Sequence, residues 1–146
     1  MMILHKLYSF HISDTEMVNI YVLYIRSLLE QSCQDWHYGI TDEESANLER
    51  VQRVACKVIL DESYTTYDQA LNDLNLQYLS TRRKLLCLNF AKKCLKHPHS
   101  MDMFPLNTGV DKNTRDRGKY WVQHAHKSRL MDSAIPQMQW ALNIEQ

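Results

Sequence analysis

Glycine and proline are scarce in this sequence, three of each among 146 residues. A chain closed by many hairpins needs far more turn-formers, so sheet-rich folds are disfavoured and an all-α architecture is expected. No run approaches the roughly 18 consecutive apolar residues that a membrane span requires. The opening stretch MMILHKLYSFHI is broken by His5, Lys6, Ser9 and His11. It therefore offers no continuous signal-peptide core, and an intracellular chain, cytoplasmic or nuclear, with no membrane partner is expected. Neither sign of charge is in excess, with 17 Lys and Arg against 17 Asp and Glu. Without a net field to draw in a polyanion, electrostatic binding must come from local patches.

Catalytic signatures are missing as well. The sequence carries no nucleophile elbow, phosphate-binding glycine loop, zinc signature or dinucleotide fingerprint, so no catalytic residue and no cofactor is expected. The consecutive acids Asp42, Glu43 and Glu44 sit where a helix begins, and helix-start chemistry explains them better than metal binding. His97 with His99, and His124 with His126, alternate as ligand pairs do. They lack the cysteine or carboxylate partners of a four-ligand site, and no metal is expected. The four cysteines, Cys33, Cys56, Cys87 and Cys94, match no disulfide scaffold, and free thiols are expected.

What the sequence does contain is helical periodicity. In LERVQRVACKVIL, Leu48 to Leu60, a helical pitch gathers Leu48, Val51, Val54, Ala55, Val58 and Ile59 on one side for burial. Arg50, Arg53 and Lys57 fall together on the opposite side at spacings of three and four. Thr41 and Glu44 form a capping box ahead of this helix. An earlier helix, capped by Ser13 or Asp14 and running to about Cys33, is apolar nearly all round, which predicts neighbours on several sides. A short helix capped by Thr65 or Thr66 turns Tyr67, Ala70, Leu71 and Leu74 inward. A further helix from Ser80 or Thr81 to about Lys96 sets Leu86, Leu88, Phe90, Ala91, Cys94 and Leu95 against Arg82, Asn89, Lys92, Lys93 and Lys96.

Between the first two of these helices, Gln34 to Ile40 breaks the period and reads as a connection anchored by Trp36 and Tyr38. From His97 to Gly118 the composition turns polar, with no sustained period, and reads as a linker. KYWVQHA, Lys119 to Ala125, alternates weakly and reads as extended. A last short helix, capped by Ser133 with Pro136 in its first turn, offers Ile135, Met138, Trp140 and Leu142 for contact. The expected fold is thus a small helical bundle of about four main helices with an irregular C-terminal tail ending in a short helix. Its expected divisions are a helical domain over 1–97, a linker over 98–118 and a tail segment over 119–146.

The blocks HKLYSFHISDTEMVNIYVLYIRSLLEQSCQDWHYGIT, ANLERVQRVACKVIL and LQYLSTRRKLLCLNFAKKCLKHP, with the ending KYWVQHAHKSRLMDSAIPQMQWALN, together resemble one family. They are similar, in order, to the region after the palm in reverse transcriptases of non-LTR retrotransposons, jockey-like or chicken-repeat-like. The resemblance implies a thumb, the helical subdomain that closes over the RNA/DNA template-primer and holds it against the palm. Arg26, Glu30 and Trp36 match the first block's pattern. Leu48, Glu49, Gln52 and Arg53 match the second, and Arg82 and Arg83 match a pair of arginines in the third. The fingers and palm of the parent polymerase would lie before Met1, and its endonuclease is not represented either. Polymerisation needs metals held by palm carboxylates, so a fragment without catalysis of its own is expected.

Two readings follow. In one, Arg50, Arg53, Lys57, Arg82, Lys92, Lys93 and Lys96 are phosphate contacts that position nucleic acid without reading sequence. In the other, the chain is an orphan helical module or non-functional remnant whose apolar faces bind a protein or a second copy. On most helices such a row of cations is simply a solvated face.

Overall fold

The computed structural model describes residues 2–108, 119–122 and 127–145, and among these the chain is all-helical. In order the helices are α1 (Met2–Ser9), α2 (Asp14–Ile20), a π-helical turn (Tyr21–Arg26), α3 (Ser27–Glu30), α4 (Cys33–Trp36), α5 (Asp42–Leu60), a 3-10 turn (Asp61–Ser63), α6 (Tyr67–Asp73), α7 (Leu79–Cys94), α8 (Pro98–Met101), α9 (Ser128–Met131) and α10 (Ala134–Ile144). Contacts divide the chain into two units, Met1–Gln31 with Thr41–Arg82, and Ser32–Ile40 with Arg83–Gln146. This differs from the expected split at 1–97, 98–118 and 119–146. Residues after His97 supply Phe104, Met138 and Leu142 to the core that holds Cys33, Cys87 and Ala91.

In the first unit, α2, the π turn and α3 run on as one helical stretch. Ser13 opens it with a capping box, its side chain accepting from the Glu16 amide while Glu16 reaches back to the Ser13 amide. Met17 and Tyr21 are buried, but Leu23, Tyr24 and Leu28 are 66%, 68% and 70% exposed. The expected enclosure on several sides is therefore corrected: α1 and α5 pack against α2, and the face carrying these three residues stays uncovered. The periodicity reading did not assign α1. Its Leu4 is fully buried, and the helix packs on α5 and α2.

Helix α5 is the long element of this unit. Thr41 caps it as expected, accepting from the Glu44 amide at 3.2 Å while its own amide donates to Glu44 Oε2 at 2.8 Å. Ala55, Cys56, Val58 and Ile59 are buried, with Val54 packed beside them. Each large aliphatic side chain buried here contributes roughly 1.5–3 kcal/mol. Thr66 caps α6 by accepting from the Gln69 amide, and Tyr67, Ala70 and Leu71 close the same core.

A polar chain threads this core. Tyr21 Oη donates to Gln52 Oε1 at 2.7 Å, and Gln52 Nε2 donates to Tyr67 Oη and to the Gln77 carbonyl, both at 2.9 Å. Tyr67 Oη in turn donates to Glu49 Oε1 at 2.5 Å. Buried polar groups tolerate this environment only when so partnered.

The core of the second unit gathers Cys33, Cys87, Leu88, Ala91, Cys94, Phe104, Met138 and Leu142, with Trp36 and Tyr38 packed against it. Residues Gln34 to Ile40 are thus anchored by their aromatics as expected, though α4 turns part of the segment helical. Phe90, expected inside, is 41% exposed, while Cys87 is fully buried. In α10, Met138 and Leu142 point inward, whereas Ile135 and Trp140 are 42% and 59% exposed. The inward stripe advances by four, so Trp140, two residues from each member, falls on the other side. Ser133 stands at the N-cap position, but its hydroxyl donates to the Leu130 carbonyl at 2.7 Å instead of capping α10.

The extended reading of KYWVQHA reduces to one antiparallel bridge between Leu106 and Tyr120. There Asn107 N donates to Lys119 O and Trp121 N to Pro105 O, and residues 123–125 of that segment lie outside the described residues. Asn143 braces Tyr120 by accepting from its amide and donating to its carbonyl, both at 2.9 Å. The four cysteines are free and buried. Among the described residues, no helix is long and apolar enough to cross a membrane.

Candidate nucleic-acid interface

Burying Ala55, Val58 and Ile59 fixes the rotation of α5, and that rotation leaves Arg50, Arg53 and Lys57 exposed. At 1.5 Å of rise per residue the three cations span about 10 Å along the helix. Among the described residues none of them forms an ion pair. Two are instead laid over tyrosine rings: the Arg53 guanidinium carbon is 5.0 Å from the Tyr67 centroid, and Lys57 Nζ is 5.3 Å from that of Tyr64.

The rings arrive there because the chain reverses after α5. Asp61, at φ 40° and ψ −109°, takes a positive φ unusual for a residue with a side chain, and the 3-10 turn that it opens leads straight to Tyr64. Tyr67 is fixed through its hydroxyl by Glu49 and Gln52, and Tyr78 meets it edge-on at 5.6 Å. Burial, followed by the bond to Glu49, pushes the Tyr67 phenol upward. Neighbouring carboxylates are occupied by tyrosines rather than cations: Asp61 accepts from Tyr8 Oη at 2.7 Å and Asp68 from Tyr78 Oη. Glu49 Oε1 also accepts the Leu79 amide at 3.2 Å, whereas its Oε2 is buried without a hydrogen bond among the described residues.

The other four candidates divide. Arg82 is held by Glu30, with Nε 2.6 Å from one carboxylate oxygen and Nη2 3.1 Å from the other. Lys92 is ion-paired with Glu145 in the second unit. Lys93 and Lys96 are exposed and form no ion pair among the described residues. Arg83, which the resemblance couples to Arg82, is fully buried. Its Nε donates to His37 Nδ1 at 3.4 Å and its guanidinium lies 5.7 Å from the Trp36 centroid. Burial, then Arg83 and Lys84, hold the His37 imidazole down to about 4.

Sequence reasoning placed Tyr67 inward but did not pair it with Arg53, it missed Tyr64 and Tyr78, and it named Gln52 only through the resemblance, without its burial. The available signal was the run of tyrosines after α5, but only the turn at Asp61 tells which cations they meet. His97 and His99 are exposed near α8, while His124 and His126 lie outside the described residues. Among the described residues no group of three or more His, Cys, Asp or Glu is arranged so that it could hold a metal ion. No protein-family model, curated protein or solved structure matches this chain.

Proposed function

We propose that this chain is a thumb-like region of a non-LTR retrotransposon RNA-directed DNA polymerase, which holds an RNA/DNA template-primer by its phosphates and performs no catalysis alone. The observation that carries the reading is the row Arg50, Arg53 and Lys57, exposed on one face of α5 and free of ion pairs among the described residues. A phosphate arriving there releases its counterions without first displacing a protein carboxylate. Such contacts fix position and orientation and carry no sequence information. Chemistry would be supplied by palm carboxylates, which belong to a region of these polymerases that the resemblance does not cover.

The test is binding of the purified chain to a labelled RNA–DNA hybrid across a salt series. Replacing Arg50, Arg53 and Lys57 together by Ala is expected to weaken binding and to lower the salt slope by about 2–3. An unchanged affinity and slope removes this face from the interface.

A second reading is favoured by Leu23, Tyr24 and Leu28, which lie exposed on one helical stretch. A protein surface, the palm of the parent polymerase or a second copy of the chain, would cover such an apolar face. Self-association with indifference to nucleic acid at low salt supports that reading over the first.

A further inference from the structure

Exposed lysines and arginines ordinarily move through many rotamers, and a ligand that engages them must bear the cost of ordering them. Two of the three cations on the outer face of α5 are already placed. Arg53 lies over the Tyr67 ring at 5.0 Å and Lys57 over the Tyr64 ring at 5.3 Å. The two cations are four residues apart, one helical turn, so their side chains emerge about 5–6 Å apart on the same face. The rings are themselves held: Tyr67 by its bonds to Glu49 and Gln52, and Tyr64 by its amide's bond to the Asp61 carbonyl and by packing against the core of the first unit. Neither cation has a carboxylate within ion-pair distance among the described residues. A ring attracts a cation without neutralising its charge.

We infer that Tyr64 and Tyr67 are positioning residues for a phosphodiester-binding site, holding Lys57 and Arg53 ready for neighbouring phosphates of a single strand. This inference rests on the phosphate-holding reading of α5 given above. The cations make the contacts with the ligand, while the rings set where the cations stand. The rings therefore change affinity without changing the number of phosphates neutralised, a distinction that a salt titration resolves.

Tyr64 is the residue to vary, because it stands outside the buried polar chain that Tyr67 completes. On the full chain, with a labelled RNA–DNA hybrid of mixed sequence as probe, Tyr64→Leu is expected to weaken binding about two- to five-fold at an unchanged salt slope. Tyr64→Phe keeps a ring beneath Lys57 and is expected to bind like the parent chain. Lys57→Ala is expected to lower the slope by about 1, and adding Tyr64→Leu to Lys57→Ala is expected to cost nothing further. Equal losses from Tyr64→Leu with and without Lys57 would overturn the inference, because the ring would then act on the ligand or on the fold directly. Tyr64→Leu binding as tightly as the parent chain would overturn it too, while leaving the α5 interface standing. Absence of binding by the parent chain at low salt would instead remove the phosphate-holding reading itself.

Discussion

Arg82 grips the Glu30 carboxylate at both oxygens, at 2.6 Å and 3.1 Å, from fifty-two residues away in sequence. Glu30 also faces Arg26, whose Nε lies 4.0 Å from the same carboxylate one helical turn earlier. One acid thus stands against two guanidiniums, and its side chain is only 11% exposed. Burial and then the charge of Arg82 lower the Arg26 pKa, while Glu30 works against that shift. The carboxylate is therefore what allows both cations to sit so close, and it ties α3 to the start of α7 within the first unit.

Removing that carboxylate while keeping its shape should be costly. Glu30→Gln leaves two partly buried guanidiniums facing each other, and a loss of about 2–3 kcal/mol is expected. Urea unfolding followed by circular dichroism measures it. Removing one cation as well, with Glu30→Gln and Arg82→Met together, returns the cluster to its parent net charge and is expected to recover part of the loss, whereas a double variant worse than the sum of the two singles would contradict the pairing.

The bond from Arg83 Nε to His37 Nδ1 requires that nitrogen to be unprotonated, which gives a pH dependence. The imidazole titrates near 6.5 when unperturbed and near 4 in the fold, chiefly because burial disfavours its charged form. Between those values the unfolded chain binds a proton that the folded chain does not. His37 thus contributes stability that is full above 6.5 and lost as pH falls toward 4. At this half-buried site the loss is expected to be about 1–2 kcal/mol once screening is allowed for. Urea midpoints near pH 7.5 and pH 5 should differ less for His37→Gln than for the parent chain, and parallel losses in the two would discharge His37 from the role.

The parts of this fold legible in sequence are those decided within a few residues. The Thr41 box was visible because a cap and its glutamate sit three apart, Ser13 was one of two caps offered for the earlier helix, and the rotation of α5 followed from its own stripe. Coverage was not legible: Leu23, Tyr24 and Leu28 read as core residues from their type alone, but whether another element lies over them is a tertiary matter. Gln52 is the opposite case, a polar residue whose complete burial depends on Tyr21, Tyr67 and the Gln77 carbonyl. Of the candidate site, the α5 cations were found by periodicity. The occupation of Arg82 by Glu30 and of Lys92 by Glu145 depends on contacts that no local pattern encodes.

Gln52 carries the next prediction. Gln52→Leu fills the same space but leaves the Tyr21 hydroxyl without its acceptor and the Gln77 carbonyl without its donor. A loss of about 2–4 kcal/mol is expected, against about 1–2 kcal/mol for Tyr21→Phe, which leaves one Gln52 oxygen unserved. Thermal unfolding of the three chains ranks them. A neutral Gln52→Leu would mean that the hydrophobic gain at this site offsets the whole polar chain.

The cations sort into groups that a salt series should separate. Lys92 meets Glu145 within the second unit, so a phosphate approaching it must compete with a carboxylate already in place. Removing Lys92 also frees Glu145, which would repel the ligand, so affinity falls slightly while the count of released counterions barely changes. Arg50 has no ion pair among the described residues, and each phosphate it neutralises enters the slope in full. Arg50→Ala is therefore expected to lower the salt slope of hybrid binding by about 1, and Lys92→Ala to leave it within error. If the reverse order is found, the contacts lie on α7 rather than α5, and Lys93 and Lys96, exposed on the same stretch, become the residues to replace next.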